Sequence, residues 1–180
     1  NPELLGEGTD WQDAMFRTGV RQEYNLSVRG GAKSVNYSVS GGYYSEDGII
    51  INNGFDRFTL RTSMDIKAYK WLDIGATVNI SHTDNNSGMA SWGVVGNALG
   101  MLPNIPVKNE DGTWGKAGYN SETNSWTPNP VAIASITTRK TKKSSTRANV
   151  YFTLKPWKWL SWRNEVTYDV NTENYRYLLP

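Results

Sequence analysis

Apolar and polar residues alternate along six stretches of the chain, and this alternation predicts six β-strands. In the third stretch, Phe58 and Leu60 fall on one side and Thr59 falls on the other. Because successive side chains of a strand point to opposite faces, each strand would have one apolar and one polar face. The predicted strands cover residues 22–30, 34–44, 55–66, 71–83, 146–155 and 159–172.

The connections between these strands alternate between short and long. Two of the three short turns carry the same motif, Lys-x-x-Lys-Trp-Leu, at residues 67–72 and 155–160, and the third short turn lies at 30–34. In an antiparallel meander all three short turns fall at one end and the long loops fall at the other. That sorting is typical of outer-membrane β-barrels, whereas a soluble sandwich has no reason to sort its loops by end.

Aromatic residues accompany the lysines at the repeated turns. Trp and Tyr favour the boundary between membrane and water, and lysine marks the aqueous side. We therefore predict that the aromatic side chains in these turns and just after the second one lie at the membrane interface, namely Tyr69, Trp71, Trp157, Trp159 and Trp162.

The polar sides of the predicted strands carry Asn, Ser, Thr, Arg and Asp, which indicates water on that side. Barrels of about eight strands have interiors filled by side chains, while those of about 22 strands enclose a plugged lumen. Six strands do not close a wide barrel. The sequence therefore predicts an all-β, antiparallel arc of a large transmembrane barrel, with one long external loop at about 84–145.

Composition adds little to this interpretation. The 180 residues include no cysteine, carry a net charge of +2 and contain no apolar run long enough for a transmembrane helix. A short helix is predicted near Trp11–Phe16, capped by Thr9 or Asp10. The chain begins with Asn1-Pro2 and is expected to be a segment of a longer protein.

The order of short motifs resembles the SusC/RagA family of TonB-dependent outer-membrane transporters, along nearly the whole chain. The matching motifs are Thr9-Asp10-Trp11-Gln12-Asp13, Phe16-Arg17-Thr18, Tyr24-Asn25-Leu26-Ser27-Val28, Asn36-Tyr37-Ser38-Val39-Ser40-Gly41-Gly42-Tyr43, Asp47-Gly48-Ile49-Ile50, Gly54-Phe55-Asp56-Arg57-Phe58, Trp71-Leu72-Asp73-Ile74-Gly75, Leu102-Pro103, Ile105-Pro106-Val107 and Asp111-Gly112.

The resemblance implies an early part of a 22-stranded barrel that follows a plug domain. It also implies a SusD-like lipoprotein that lids the barrel, and oligosaccharides or peptides as imported substrates. Import would be driven by TonB–ExbB–ExbD through the plug. The plug, the TonB box and the closing strand are absent from this sequence, so no energy-coupling residue is assigned.

No catalytic or cofactor chemistry is predicted. His82 is the only histidine, and with no cysteine it has no partners for a metal set. The carboxylate pairs Glu46-Asp47 and Glu110-Asp111 lie in predicted turns, where Asp serves turn geometry. The sequence therefore favours a protein that is not an enzyme and that uses no cofactor.

Two groups of residues are candidates for binding. Aromatic rings in the long loop, at Trp92, Trp114, Tyr119 and Trp126, would stack on sugar rings or peptide side chains; the alternative is that they pack the loop's own core or contact the lid. The basic run Arg139, Lys140, Lys142 and Lys143 would meet lipopolysaccharide phosphates, or would simply be a solvated loop base. Nucleic acid is not expected, because the run lacks interleaved aromatics.

Two other interpretations stay open at this point. A soluble carbohydrate-binding β-sandwich would cover the apolar faces with a second sheet, whereas a barrel would expose them to lipid. A glycan-degrading surface enzyme would need a pair of acidic residues, and no candidate pair stands out.

Overall fold

A six-stranded antiparallel sheet forms most of the computed structural model, which describes residues 8–87, 92–121 and 125–178. The strands of this sheet follow one another in the order β1-β2-β3-β4-β7-β8. They are β1 (Arg21–Ala32), β2 (Val35–Asp47), β3 (Gly54–Tyr69), β4 (Leu72–Asn86), β7 (Thr138–Trp157) and β8 (Leu160–Leu178). The predicted antiparallel meander is confirmed.

The pairing register keeps apolar side chains on one face of the sheet. Register partners across an antiparallel pair share a face, so a row of partners shows what that face carries. One such row is Val28, Val39, Thr62, Val78, Ala148 and Tyr168. The neighbouring row is Ser27, Ser40, Arg61, Asn79, Arg147 and Asp169. We call these two sides the apolar face and the polar face.

The strands run beyond their predicted ends, by up to three residues in β1 to β4 and by more in the last two strands. β7 begins at Thr138 instead of residue 146, and β8 continues to Leu178 instead of residue 172. The start of β7 is polar on both sides, so it has no alternation to detect, yet it pairs with β4 as far as Lys140↔Asn86. The connection predicted at about 84–145 is correspondingly shorter, at residues 87–137.

The two ends of the sheet differ in their connections. The turn end has the tight turns 33–34, 70–71 and 158–159, and the loop end has residues 8–20, 48–53 and 87–137. The loop end also contains three short helices and a small hairpin, which are α1 (Trp11–Met15), α2 (Trp92–Gly100), β5 (Gly118–Asn120), β6 (Ser125–Thr127) and α3 (Pro130–Ile136).

The predicted N-terminal helix is confirmed as α1, and its cap is Asp10. The Asp10 carboxylate accepts hydrogen bonds from the backbone N–H groups of Gln12 and Asp13, at 2.9 and 3.0 Å. These N–H groups have no partner within the helix, which is why Asp is favoured at this position.

Candidate functional site

The buried core of the protein lies at the loop end, outside the sheet. Seven of the buried hydrophobic side chains form one cluster, which we call the loop platform core: Trp11, Met15, Val94, Ala98, Met101, Val131 and Ala134. They come from all three helices and from the residue that follows α2. In α2 the buried side chains are Val94 and Ala98, while Leu99 is 65% exposed.

Hydrogen bonds tie the N-terminal segment to the long loop. The Trp11 indole N–H donates to the carbonyl oxygen of Leu102 at 3.0 Å, and the Thr9 hydroxyl donates to that of Ile105 at 2.8 Å. The loop between β2 and β3 joins them, since the Asn52 side chain donates to the Ala134 carbonyl oxygen at 2.9 Å. The described residues of the three segments at the loop end, 8–20, 48–53 and 87–137, therefore form one packed unit, which we call the loop platform.

Asn129 links the start of α3 to the rest of the loop platform. Its side-chain oxygen accepts from the backbone N–H of Ala132 at 3.0 Å, as an N-cap. Its side-chain nitrogen donates to the carbonyl oxygens of Val107 at 2.9 Å and Gly115 at 3.2 Å. The residue is 5% exposed, and these bonds satisfy its buried amide.

The candidate substrate-contact aromatics do not all lie together. Tyr119 and Trp126 face each other across the β5–β6 hairpin, with ring centroids 5.1 Å apart and exposures of 43% and 68%. Trp114 instead packs against the loop platform core and has the Lys108 ammonium 4.8 Å from its ring centroid. The side chain of Trp92 lies outside the described residues. Among the candidates whose side chains the structure describes, the Tyr119–Trp126 pair alone presents a joint aromatic surface.

The basic run at the start of β7 is divided between the two faces of the sheet. Lys140 and Lys142 have the parity of the apolar face, while Arg139 and Lys143 have that of the polar face. The division follows directly from strand alternation, which the sequence prediction did not extend to this region because it began the strand at residue 146.

The charged partners of this run also differ between the faces. On the apolar side the Lys142 ammonium pairs with Asp84 at 3.2 Å. On the polar side Lys143 pairs with Glu173 at 3.2 Å, and the Arg139 guanidinium lies 5.9 Å from the centroid of the Tyr175 ring.

The interface aromatics predicted from the repeated turns lie at the turn end. Tyr69 stacks on Trp71 and Trp157 stacks on Trp159, with centroid distances of 5.3 and 5.6 Å. The fifth of these aromatic residues, Trp162, lies within β8 on the apolar face and packs edge-on against Phe152 at 5.7 Å.

Side chains on the polar face form a network that sequence reasoning missed. The Tyr151 hydroxyl of β7 bonds to the Asp65 carboxylate of β3 across the intervening strand β4. The Tyr151 ring lies over Gly75 of β4, where a Cβ atom would collide with it. Arg163 of β8 stands 3.7 Å from the centroid of the same ring. These four residues therefore connect four strands.

A second missed feature is a pair of tyrosines near the end of β8. The Tyr175 and Tyr177 rings lie with centroids 6.3 Å apart on the polar face at the loop end. Residues two apart in a strand share a face, so their spacing indicated a pair on one face. The sequence prediction missed it because the predicted strand ended at residue 172.

Within residues 8–87, 92–121 and 125–178, no group of three or more His, Asp or Glu side chains is arranged to hold a metal ion. No helix in those same ranges combines the length and the apolar character needed to cross a membrane.

Comparisons with known proteins give a consistent result. The chain is 34% identical over 129 residues to the TonB-dependent receptor SusC of Bacteroides thetaiotaomicron, which covers 70% of this chain and 13% of that protein. It is 28% identical over 151 residues to the TonB-dependent receptor P3 of Formosa agariphila, which covers 79% of this chain and 15% of that protein. No protein-family model matches the chain.

The fold comparison agrees. A solved structure of the RagAB peptide transporter superposes with a TM-score of 0.72, over 93% of this chain and 19% of that chain, at 17% sequence identity. The relatives are named as receptors and transporters, in agreement with the prediction that this chain is not an enzyme.

The chain spans 13 to 15% of the length of the curated relatives that it matches. Its antiparallel meander, the sorting of its loops by end and its likeness to SusC and to the RagAB structure agree with one another. The chain belongs to the SusC/RagA type of TonB-dependent transporters, of which it represents a segment.

Proposed function

We propose that this chain is an arc of a large outer-membrane barrel, of about 22 strands, that imports oligosaccharides or peptides together with a SusD-like surface lipoprotein. Energy for import comes from TonB–ExbB–ExbD acting through a plug domain, and none of the residues described above is assigned to that coupling.

The observation that carries this proposal is the exposed apolar face of the sheet. Leu26 is 74% exposed and Val166 is 72% exposed, although both have the pattern of core residues. A soluble β-sandwich would bury them under a second sheet, and no such sheet is present among the residues that the structure describes. Contact with lipid accounts for an apolar sheet face of this extent.

Insertion into the membrane is tested by placing a charge on the apolar face. Val78 of β4 lies near the middle of the sheet, and Val78→Arg should cost about 2–4 kcal/mol if the site is at the membrane midplane. Thr77→Arg is the matched control, because the neighbouring residue lies on the polar face.

The readout is the full-length protein in outer membranes, run on SDS gels with and without boiling. We expect Thr77→Arg to give a heat-shifted band like the unsubstituted protein, and Val78→Arg to be lost from the membrane fraction. If Val78→Arg inserted as well as the control, the apolar face would not be the lipid face and the transporter proposal would be overturned.

Within this function, we propose that Tyr119 and Trp126 contact the arriving substrate. The pair is held on the loop platform, so its rings are presented without the entropy cost of ordering a free loop. Trp114 is assigned to the packing of the loop platform instead.

Trp126→Ala tests this assignment. Loss of a central aromatic contact commonly costs at least about 1–2 kcal/mol, or about 5- to 30-fold in apparent affinity. Uptake of a labelled substrate by whole cells should fall accordingly, while Leu99→Ala, an exposed apolar control on the same platform, should not change it. If Trp126→Ala lost the co-purifying SusD-like lipoprotein but kept substrate affinity, the pair would be a lid contact.

We also propose that lipopolysaccharide phosphates contact Lys140 and Lys142 and not Arg139 or Lys143. The first two lie on the apolar face, which in this proposal contacts the membrane, and the other two lie on the polar face, which in this proposal lines the lumen. A Lys140→Gln and Lys142→Gln variant should retain less lipopolysaccharide after detergent extraction than an Arg139→Gln and Lys143→Gln variant.

A further inference from the structure

The two turns with the repeated Lys-x-x-Lys-Trp-Leu motif lie side by side at the turn end. They are neighbours because β4 and β7, which each begin or end at one of the turns, pair directly. The backbone N–H of Lys155 donates to the carbonyl oxygen of Trp71 at 2.7 Å and so joins the two turns. Between them is an open groove of about 550 Å³, lined by both motifs.

Each turn presents a pair of parallel aromatic rings. The planes of Tyr69 and Trp71 differ by 5° and those of Trp157 and Trp159 by 8°. Trp159 is 79% exposed, and the other three rings are about half exposed. Tyr69 and Trp157 are the register partners of Leu72 and Leu160, so both pairs belong to the side of the apolar face.

The charge of the groove is positive. Lys70, Lys155 and Lys158 line it, and none of its lining residues is a carboxylate. Asp73 pairs with Lys155 from outside the groove. Among the described residues, neither Lys70 nor Lys158 has an acidic partner within ion-pair distance, so their charges remain available to an anion.

We propose that this groove binds a single phospholipid with an anionic headgroup. The phosphate lies between Lys70 and Lys158, and the start of the acyl chains lies against the stacked rings. Lysine supplies a point charge suited to phosphate, and Trp and Tyr favour the boundary where one side of the ring is apolar and the other is wet. This inference rests on the proposed membrane location, because it requires the apolar face to contact lipid.

The test is native mass spectrometry of the full-length protein purified in a neutral detergent, with added phosphatidylglycerol or phosphatidylcholine. We expect one retained molecule of phosphatidylglycerol in preference to phosphatidylcholine. Lys70→Gln with Lys158→Gln should weaken phosphatidylglycerol binding by about 10- to 30-fold. Each lysine near an anionic lipid surface contributes about 3- to 5-fold in affinity, and the two contributions multiply.

Lys33→Gln is the matched control, because Lys33 occupies the third turn at the same end, which has no tryptophan. It should leave lipid retention unchanged. Equal binding by the double variant and the unsubstituted protein would overturn the proposal. An equal loss in Lys33→Gln would also overturn it, because the attraction would then be diffuse.

Two measurements separate this inference from the proposed function. The same preparations are tested for outer-membrane insertion and for the heat shift on SDS gels. If the protein inserts and shifts but retains no phosphatidylglycerol, the lipid-site proposal alone is overturned. If the protein neither inserts nor shifts, the transporter proposal is overturned as well.

Discussion

At the scale of single residues, the polar face is braced by one tyrosine that crosses a strand. Tyr151 reaches Asp65 because Gly75, on the strand between them, has no side chain. Arg163 covers the other side of the ring, where a cation gains from the negative face of the aromatic system. The position of Gly75 thus permits a contact that any larger residue would block.

Gly75→Val should destabilise the folded barrel by displacing the Tyr151 ring. Overpacking at a fixed site commonly costs about 1–3 kcal/mol. The measurement is the temperature at which the full-length protein loses its compact band on SDS gels, which we expect to fall. Gly96→Ala is the control, since nothing lies within 4 Å of a Cβ atom at Gly96 in α2. An unchanged temperature for Gly75→Val would show that the ring is not held there.

The turn before Trp114 is held by hydrogen bonds to the Asp111 carboxylate. The hydroxyl and the backbone N–H of Thr113 donate to the Asp111 carboxylate, at 2.6 and 2.9 Å, and hold the pKa of Asp111 below its usual value of 3.8. A lowered pKa means that the ionised form stabilises the turn above pH 3.8 and that this contribution is lost as the pH falls through the folded pKa.

Thr113→Val should therefore raise the pKa of Asp111 toward its usual value. A carbon-detected NMR titration of the Asp111 carboxyl group measures this directly. An unchanged midpoint in Thr113→Val would mean that the hydroxyl bond does not set the pKa.

At the scale of elements, the loop platform gains its stability from contacts between distant segments. The three helices are 5, 9 and 7 residues long, too short to be stable alone. They hold together because Trp11 and Met15 pack against side chains about 80 to 120 positions away, such as Val94 and Val131.

Met15→Ala should open the loop platform while the sheet stays paired. Met15 is fully buried, and truncation of such a side chain to Ala costs about 2–5 kcal/mol. Hydrogen exchange measured by mass spectrometry should accelerate in residues 92–121 and should not change in β2, β3 and β4. Leu99→Ala is the control, because Leu99 is exposed. Equal acceleration in the strands would show that platform and sheet unfold together.

The sequence predicted the strands wherever one face was apolar and the other polar, as in β3 and β4. It did not predict the polar start of β7, because a strand with water on both faces shows no alternation of apolar and polar residues, even where it pairs with β4. The loop platform could not be predicted either, since local periodicity does not show which distant segments pack together. For the same reason the exposed pair Tyr119–Trp126 and the packed Trp114 looked equivalent in the sequence.

At the scale of the whole molecule, the sheet has two open sides. In the ranges that the structure describes, β1 and β8 each pair with one neighbour only. A strand edge in lipid leaves its backbone N–H and C=O groups without partners, and this is why membrane-spanning sheets close into barrels.

The 180-residue chain expressed alone should therefore fail to form a stable membrane-inserted species. Refolded into detergent, it should aggregate and give no heat-shifted band on SDS gels, whereas the full-length protein gives one. A discrete heat-shifted monomer of the isolated chain would contradict this expectation and would show that six strands suffice.

The long connection between β4 and β7 enters and leaves the sheet at adjacent points, where the backbone N–H of Ser87 donates to the carbonyl oxygen of Arg139 at 3.1 Å. Such an insertion can be exchanged between genes without disturbing strand register. Its core, however, is shared with the N-terminal segment through Trp11 and with the β2–β3 loop through Asn52. Recombination that replaces this connection must therefore carry three separate stretches of coding sequence together, although only one of them connects β4 to β7.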